Sequence, residues 1–320
     1  MSENVPKKTE SPYDNARIKS DVQDTLQMSL KRIQNIKSHL DSAPRGQRLQ
    51  GKVCIVTGVG SMKGIGRASA LRYAHEGAAH LYLVDFDATN LPELQSTIER
   101  TYPDVKVTTD AFDCASEKHI VALCEQALKE EGRLDVFFAN AGIGTRDVLA
   151  NISSETFMET MRVNTLSCFL AVKYGSEAMQ KTNPSRGKEL GGGSIILTAS
   201  IAGIRSGAGT VDYSASKAAV NSLAKTCAYQ LARTGVRVNT ICPGIIETGM
   251  TAFTFEYARR RGTMGKMGQL NPLGRWAMPE EVAQLATFLA CDDSSYVNGQ
   301  NIAVDGGLSS SHPTVPGKFV

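Results

Sequence analysis

The chain has 320 residues, 42% of them hydrophobic, and a formal net charge of +3. That apolar content can bury a substantial core, which excludes disorder of the whole chain. So small a charge gives no case for nucleic acid or an anionic membrane surface as a partner.

Met1 to Asn15 is polar and is expected to be disordered. From Ile18 the apolar residues fall at Ile18, Val22, Leu26, Leu30, Ile33, Ile36 and Leu40, in steps of three and four. This spacing predicts one amphipathic helix, stopped ahead of Pro44 and Gly46. Mixed acids and bases on its polar face favour packing on the domain or on a neighbouring subunit over a membrane surface. Residues 1–48 read as an N-terminal extension and 49–320 as the main domain.

From Gly51 short apolar runs alternate with longer amphipathic stretches. Strands are predicted at Val53 to Val56, Leu81 to Val84, Val105 to Val107, Val136 to Phe138, Ile195 to Leu197, Val236 to Ile241 and Asn301 to Val304. Helices are predicted at Gly64 to Glu76, Leu91 to Tyr102, Glu117 to Lys129, Glu155 to Gln180, Tyr213 to Ala232 and Glu280 to Leu289. Gly77 is placed to end the first of these. Strands alternating with helices of this length imply βαβ crossovers, hence an α/β fold with a doubly wound parallel sheet of about seven strands. No internal repeat is evident.

Seven cysteines without a CxxC pair read as reduced thiols of an intracellular protein. The five histidines show no HxxxH or HExxH spacing, so no metal is expected. No apolar run approaches the roughly 18 residues of a membrane span, and the N-terminus resembles neither a signal nor a transit peptide. A cytoplasmic location is the expectation.

The turn after the first strand reads Thr57-Gly58-Val59-Gly60-Ser61-Met62-Lys63-Gly64-Ile65-Gly66. Glycines between a strand and a helix let the backbone turn tightly and approach a pyrophosphate, to which the helix start presents free N–H groups. Asp85 ends the second strand, where a carboxylate would accept bonds from the adenosine ribose hydroxyls and repel a 2′-phosphate. This points to NAD. Lys63 points the other way, toward NADP, and Asp85 is given more weight because a carboxylate facing a phosphate has no easy compensation. Asp113 is placed to cap the adenine.

Tyr213 and Lys217 stand at i and i+4 on one predicted helix face. A free phenol is a poor base near neutral pH, whereas an ammonium held nearby stabilises the phenolate. Ser200 ends the fifth strand and Asn140-Ala141-Gly142 follows the fourth. Both lie on the carboxyl side of the sheet, where open α/β folds bind ligands.

Together the TG…GIG loop, Asp113, Asn140-Ala141-Gly142, Asn164, Ser200, Tyr213 with Lys217, Pro243-Gly244 with Thr248, and Asp305-Gly306-Gly307 resemble the short-chain dehydrogenase/reductase family. The resemblance covers about residues 51–308. It implies a single-domain Rossmann-type oxidoreductase in which Tyr213 is the general acid in reduction and the general base in oxidation. Lys217 would hold the nicotinamide ribose and support Tyr213, Ser200 would donate a hydrogen bond to the carbonyl oxygen, and Asn164 would hold a water relaying protons to Lys217. Cofactor contacts are expected from Gly58, Gly60, Lys63, Gly64, Ile65 and Gly66 at the phosphates, and from Asp85, Asp113 and Cys114 at the adenosine. Others are expected from Asn140, and from Ile245 and Thr248 at the carboxamide. The Cys114 and Cys242 thiols have no basic partner in sequence and read as packing groups.

The glycine loop carries two more residues between Gly58 and Gly64 than the family's usual form, and Ala139 replaces a frequent asparagine. In this family the segment after Pro243-Gly244 forms the substrate lid. Here, from Ile245 to about Trp276, it holds Met250, Phe253, Phe255, Tyr257, Met264 and Met267, which suits a medium-sized hydrophobic carbonyl or alcohol. Arg259-Arg260-Arg261 reads as a solvated helix face, and Trp276 as the anchor of the lid's return. Three readings follow: an NAD-dependent alcohol/ketone oxidoreductase, an NADPH-dependent 3-oxoacyl or polyketide-type ketone reductase, or a catalytically silent nucleotide-binding scaffold. The intact Asn164, Ser200, Tyr213 and Lys217 argue against the last. The resemblance also implies a homodimer or homotetramer built on the Glu155–Gln180 and Tyr213–Ala232 helices.

Overall fold

The computed structural model describes residues 15–312, with side chains from Val22 onward. The expected disorder of Met1 to Asn15 falls almost wholly outside these residues. In chain order the elements are α1 (Asn15–Asp41), β1 (Val53–Thr57), α2 (Ile65–His75), β2 (His80–Asp85), α3 (Leu91–Thr101), β3 (Lys106–Ala111), α4 (Glu117–Glu131) and β4 (Val136–Ala139). Next come α5 (Ser154–Met161), α6 (Ser167–Met179), β5 (Gly193–Thr198), α7 (Val211–Gln230), β6 (Val236–Pro243), α8 (Ala252–Arg260), α9 (Pro279–Ala290) and β7 (Asn301–Val304).

The seven strands form one parallel sheet in the order β3-β2-β1-β4-β5-β6-β7. Strand side chains alternate faces, so each run feeds two cores. Val53, Ile55, Tyr82, Val84, Phe137, Ile195 and Leu197 pack with α4, α6 and α7. Cys54, Val56, Leu81, Leu83, Phe138 and Ile196 pack with α2, α3 and α9 on the other face. The central runs are apolar throughout because neither face meets water. The chain reverses its winding between β1 and β4, which leaves a crevice at their carboxyl ends.

Two expected elements are corrected. The third strand lies at Lys106–Ala111 instead of Val105–Val107. It is the sheet's edge, so Thr108, Thr109 and Asp110 extend it without an apolar signature. The long helix expected over Glu155 to Gln180 is split into α5 and α6 by a π-helical turn at Arg162–Leu166, which contains Asn164. A single inserted residue does not interrupt helical periodicity enough to be read from sequence. The predicted extension helix is present as α1. All seven cysteines are free. No described helix is long and apolar enough to cross a membrane.

Candidate active site

The glycine loop leaves β1 with Gly58 at φ +74°, in the left-handed region that glycine tolerates. A Cβ at Gly66 would fall 2.3 Å from the Gly58 carbonyl oxygen, and one at Gly60 would fall 2.8 Å from the Asp85 carboxyl carbon. Backbone alone fits at both places. Asp85 Oδ2 accepts from the Gly60 N–H (2.7 Å) and Oδ1 from the Asp87 N–H (3.0 Å). This fixes the carboxylate against the loop. The N-terminus of α2 has no capping side chain and no acid in its first turn. Its free N–H groups and dipole therefore suit an anion, and the cradle fits a dinucleotide pyrophosphate.

The two extra loop residues find a structural place. A Cβ at Gly249 would stand 2.7 Å from Ser61 Oγ, so the enlarged loop meets the root of the lid. On the other side a Cβ at Gly144 would lie 3.4 Å from Met250 Sδ. The Thr248–Met250 turn therefore touches both walls of the crevice. Lys63 is exposed.

Asn140 braces the site from inside. Its amide donates to the Thr57 and Gly58 carbonyls (3.2 and 3.1 Å), and its Oδ1 accepts from Thr198 Oγ1 (3.0 Å), tying β1 and β5 across β4. Asp113 accepts from the Ala115 N–H (2.8 Å) and pairs with Arg162 (2.5 Å) beside Asn164 in the π turn. Cys114 is buried in the core behind it. Burial, then the Asp85 and Asp113 carboxylates, push its thiol up to about 12, which leaves it unreactive. Cys242 is likewise buried, with its thiol on Asn221 Oδ1 (3.2 Å).

The catalytic candidates converge on the same end of the sheet. Tyr213 and Lys217 share one face of α7, with Lys217 Nζ 5.7 Å from the Tyr213 ring centroid. Lys217 is 2% exposed and donates to the Thr198 carbonyl at 2.8 Å. A Cβ at Gly142 would meet Asn164 Oδ1 at 3.0 Å and Lys217 Nζ at 3.3 Å, so both side chains close in on the Gly142 backbone. Asn164 accepts from the Ile143 N–H (2.8 Å) and donates to the Ile143 carbonyl (2.9 Å) and Ser216 Oγ (3.0 Å). Both its amide protons are spent within the protein, and the second lone pair of Oδ1 remains for a water. Ser200 Oγ accepts from the Ala202 N–H at 3.1 Å, which leaves the hydroxyl proton free to donate. Ile245 and Thr248 follow β6: the Ile245 carbonyl accepts from Ala277 N–H (3.0 Å), and Thr248 N–H donates to Thr251 Oγ1 (2.9 Å).

Asp212 was not legible as a site residue. It is 0% exposed and accepts from Thr145 Oγ1 and Thr160 Oγ1, both at 2.8 Å. Burial opposes its ionisation, but hydrogen bonds from Thr145, Thr160, Thr210 and the Tyr213 N–H outweigh that and hold its carboxyl below the usual range. It thereby ties the loop after β4, helix α5 and the start of α7 together. In sequence it is only an acid in a helix's first turn, an ordinary occurrence.

The remaining candidates behave as bystanders. Arg259 pairs with Glu247, Arg261 with the Tyr257 hydroxyl, and Arg260 is exposed. Trp276 packs edge-on against Phe255 at 5.9 Å. His80, Glu130 and Glu131 bring ligand atoms within 4.8 Å of one another. These side chains already bond Thr108, Tyr82, Lys106 and Arg186.

The sheet order, the glycine cradle on a switch-point crevice and the tyrosine–lysine helix define a nucleotide-binding oxidoreductase. A family model described as enoyl-(acyl carrier protein) reductase matches residues 58–309. Levodione reductase of Leifsonia aquatica is 33% identical over 269 residues, covering 83% of this chain and 97% of that protein. A crystal structure of levodione reductase superposes with a TM-score of 0.74 at 32% identity, over 82% of this chain and 100% of that one. A 3-oxoacyl-(acyl-carrier-protein) reductase of Thermotoga maritima is 38% identical over 82% of this chain and 99% of its own. Cyclohexanol dehydrogenase of an Acinetobacter species is 33% identical over 82% and 97%. The chain belongs to the short-chain dehydrogenase/reductase family, and it is an oxidoreductase using a nicotinamide cofactor on a small-molecule substrate.

Proposed function

We propose that this protein interconverts a hydrophobic secondary alcohol and its ketone with NAD, through Tyr213 as the proton donor and acceptor. The observation that carries this reading is the convergence of Tyr213, Lys217, Asn164 and Ser200 at one end of the sheet beside the glycine cradle. The cofactor, when bound, supplies or takes the hydride. Ser200, with its proton free, donates to the substrate oxygen as charge builds there, and Tyr213 gives or takes the proton at that oxygen. Lys217, buried and cationic in kind, stabilises the phenolate and holds the ribose; Asn164 keeps Gly142 and Lys217 in register. Gly58, Gly60, Gly64, Ile65 and Gly66 would cradle the phosphates. Asp85 and Asp113 would face the adenosine, and Ile245 and Thr248 the carboxamide. Asp85, locked on the loop, favours NAD.

A second reading is a 3-oxoacyl-type reduction with NADPH. Lys63, exposed and without a partner among the described residues, and the 38% identity to the Thermotoga enzyme favour it. A screen of cyclic and open-chain secondary alcohols and of 3-oxoacyl thioesters, each with NAD(H) and NADP(H), separates the two. A large NADPH preference overturns the weight given to Asp85. The same reading places the protein in the cytoplasm as a homodimer or homotetramer. Leu166 and Phe169 of the π turn and α6, and Val211 and Tyr229 of α7, support the assembly as exposed apolar groups.

A further inference from the structure

Helix α1 lies ahead of the segment matched by the family, which begins at residue 58. It is not a loose extension. Leu26 and Ile33 pack against a separate apolar cluster of Phe255, Ala258, Met264 and Trp276, against which Ile245 and Met267 also pack. Ser29 is 5% exposed, with its hydroxyl facing the Gly274 carbonyl at 3.5 Å. Gly265 sits directly beneath the helix: a Cβ there would fall 2.0 Å from the Val22 carbonyl oxygen. Apart from Ile245, these partners belong to the segment from α8 to Trp276, whose root at Thr248–Met250 touches both walls of the crevice.

We infer that α1 clamps the substrate lid, with Val22, Leu26, Ser29 and Ile33 as positioning residues that hold α8 and the Met264–Trp276 return against the crevice. The cluster itself is small. Without Leu26 and Ile33, Phe255 and Trp276 lose one apolar wall, and the lid loses the burial that orders it. Ile245 connects the cluster to the crevice, so the clamp reaches the residue expected at the nicotinamide. The functional part of this inference rests on the nicotinamide-site reading above; the packing part does not.

The test uses the full chain carrying Leu26→Asp with Ile33→Asp, and separately Gly265→Ala. Gly265 has no left-handed backbone angle, and the three atoms nearest an added methyl all belong to Val22 of α1. Hydrogen exchange read by mass spectrometry is expected to quicken at least about tenfold in peptides covering 252–276 in both variants. Peptides of β1, β4, β5 and β6 keep their protection, which shows that the fold is intact. Combining the three changes adds little to either, because both act on one contact. NADH and NADPH titrations followed by fluorescence are expected to weaken about threefold or more in the variants for whichever nucleotide binds. Unchanged exchange in 252–276 overturns the clamp, as does exchange that quickens equally throughout the sheet. If neither nucleotide binds the unaltered protein, the reading of the crevice fails, and the exchange result still decides the clamp.

Discussion

Tyr213 is half-buried and Lys217 is sealed beneath it, its ammonium set on the Thr198 carbonyl. A lysine this enclosed is rigid, because its long side chain has given up its rotamer freedom to the fold and not to the reaction. Replacing Tyr213 by Phe keeps the ring and the packing but removes the proton. Turnover is expected to fall at least about 100-fold with nucleotide affinity unchanged, as read by steady-state kinetics beside a binding titration; retained activity would sink the acid/base reading. Asp85 offers a second test at this scale. On the proposed NAD reading, Asp85→Ser removes a carboxylate that would oppose a 2′-phosphate, so the ratio of kcat/KM for NADP over NAD should rise at least about tenfold. No rise means that the carboxylate serves the loop alone.

At the scale of elements, the site is held by ties between segments far apart in sequence. Asn140 joins β1 to β5, and Asp212 joins the loop after β4, α5 and α7. The Asp212 ties are measurable: Thr160→Val keeps the shape but leaves a buried carboxylate one donor short. A loss of about 1–3 kcal/mol in denaturant unfolding is expected; a change below about 0.5 kcal/mol would show that the other donors suffice. The helix periodicities, the glycine loop and the i, i+4 pair were legible because they are local. The π turn, the Ser61–Gly249 meeting and the Asp212 threonine cage were not, since each depends on where distant backbone lies. Asn140 shows the difference within one residue. Its motif was readable, yet its amide proves to be spent on the protein's own carbonyls.

For the whole molecule, buried titratable groups set the response to pH. Burial lowers the His80 pKa below its ordinary value, against the raising effect of Glu131. The unfolded chain then binds a proton that the native ring refuses, so stability is full above about 6.5 and falls as pH drops below it. The lowered Asp212 carboxyl adds a loss at still more acid pH, below about 4. The melting temperature should therefore decline between pH 7 and 5, and His80→Gln should flatten that decline; a flat profile for the unaltered chain contradicts this. Assembly is the other molecular property. Light scattering is expected to give two or four times the chain mass, and Phe169→Glu, placed among the exposed apolar groups of α6, to reduce it. A monomer at working concentration refutes the assembly.

The sequence by itself determined the alternating βαβ order, the parallel sheet and the family, because these rest on periodicity and on short motifs whose parts are neighbours in the chain. It also carried the site candidates: Ser200 ends a readable strand, Tyr213 and Lys217 share a readable helix, and Asn164 came through the family resemblance, since the π turn that holds it has no local signature. Only the tertiary structure decided what α1 packs against, how the enlarged glycine loop meets the Thr248–Met250 turn and which acid anchors α7. Those are contacts between segments separated by tens to hundreds of residues, and side-chain packing, not local pattern, chooses among them.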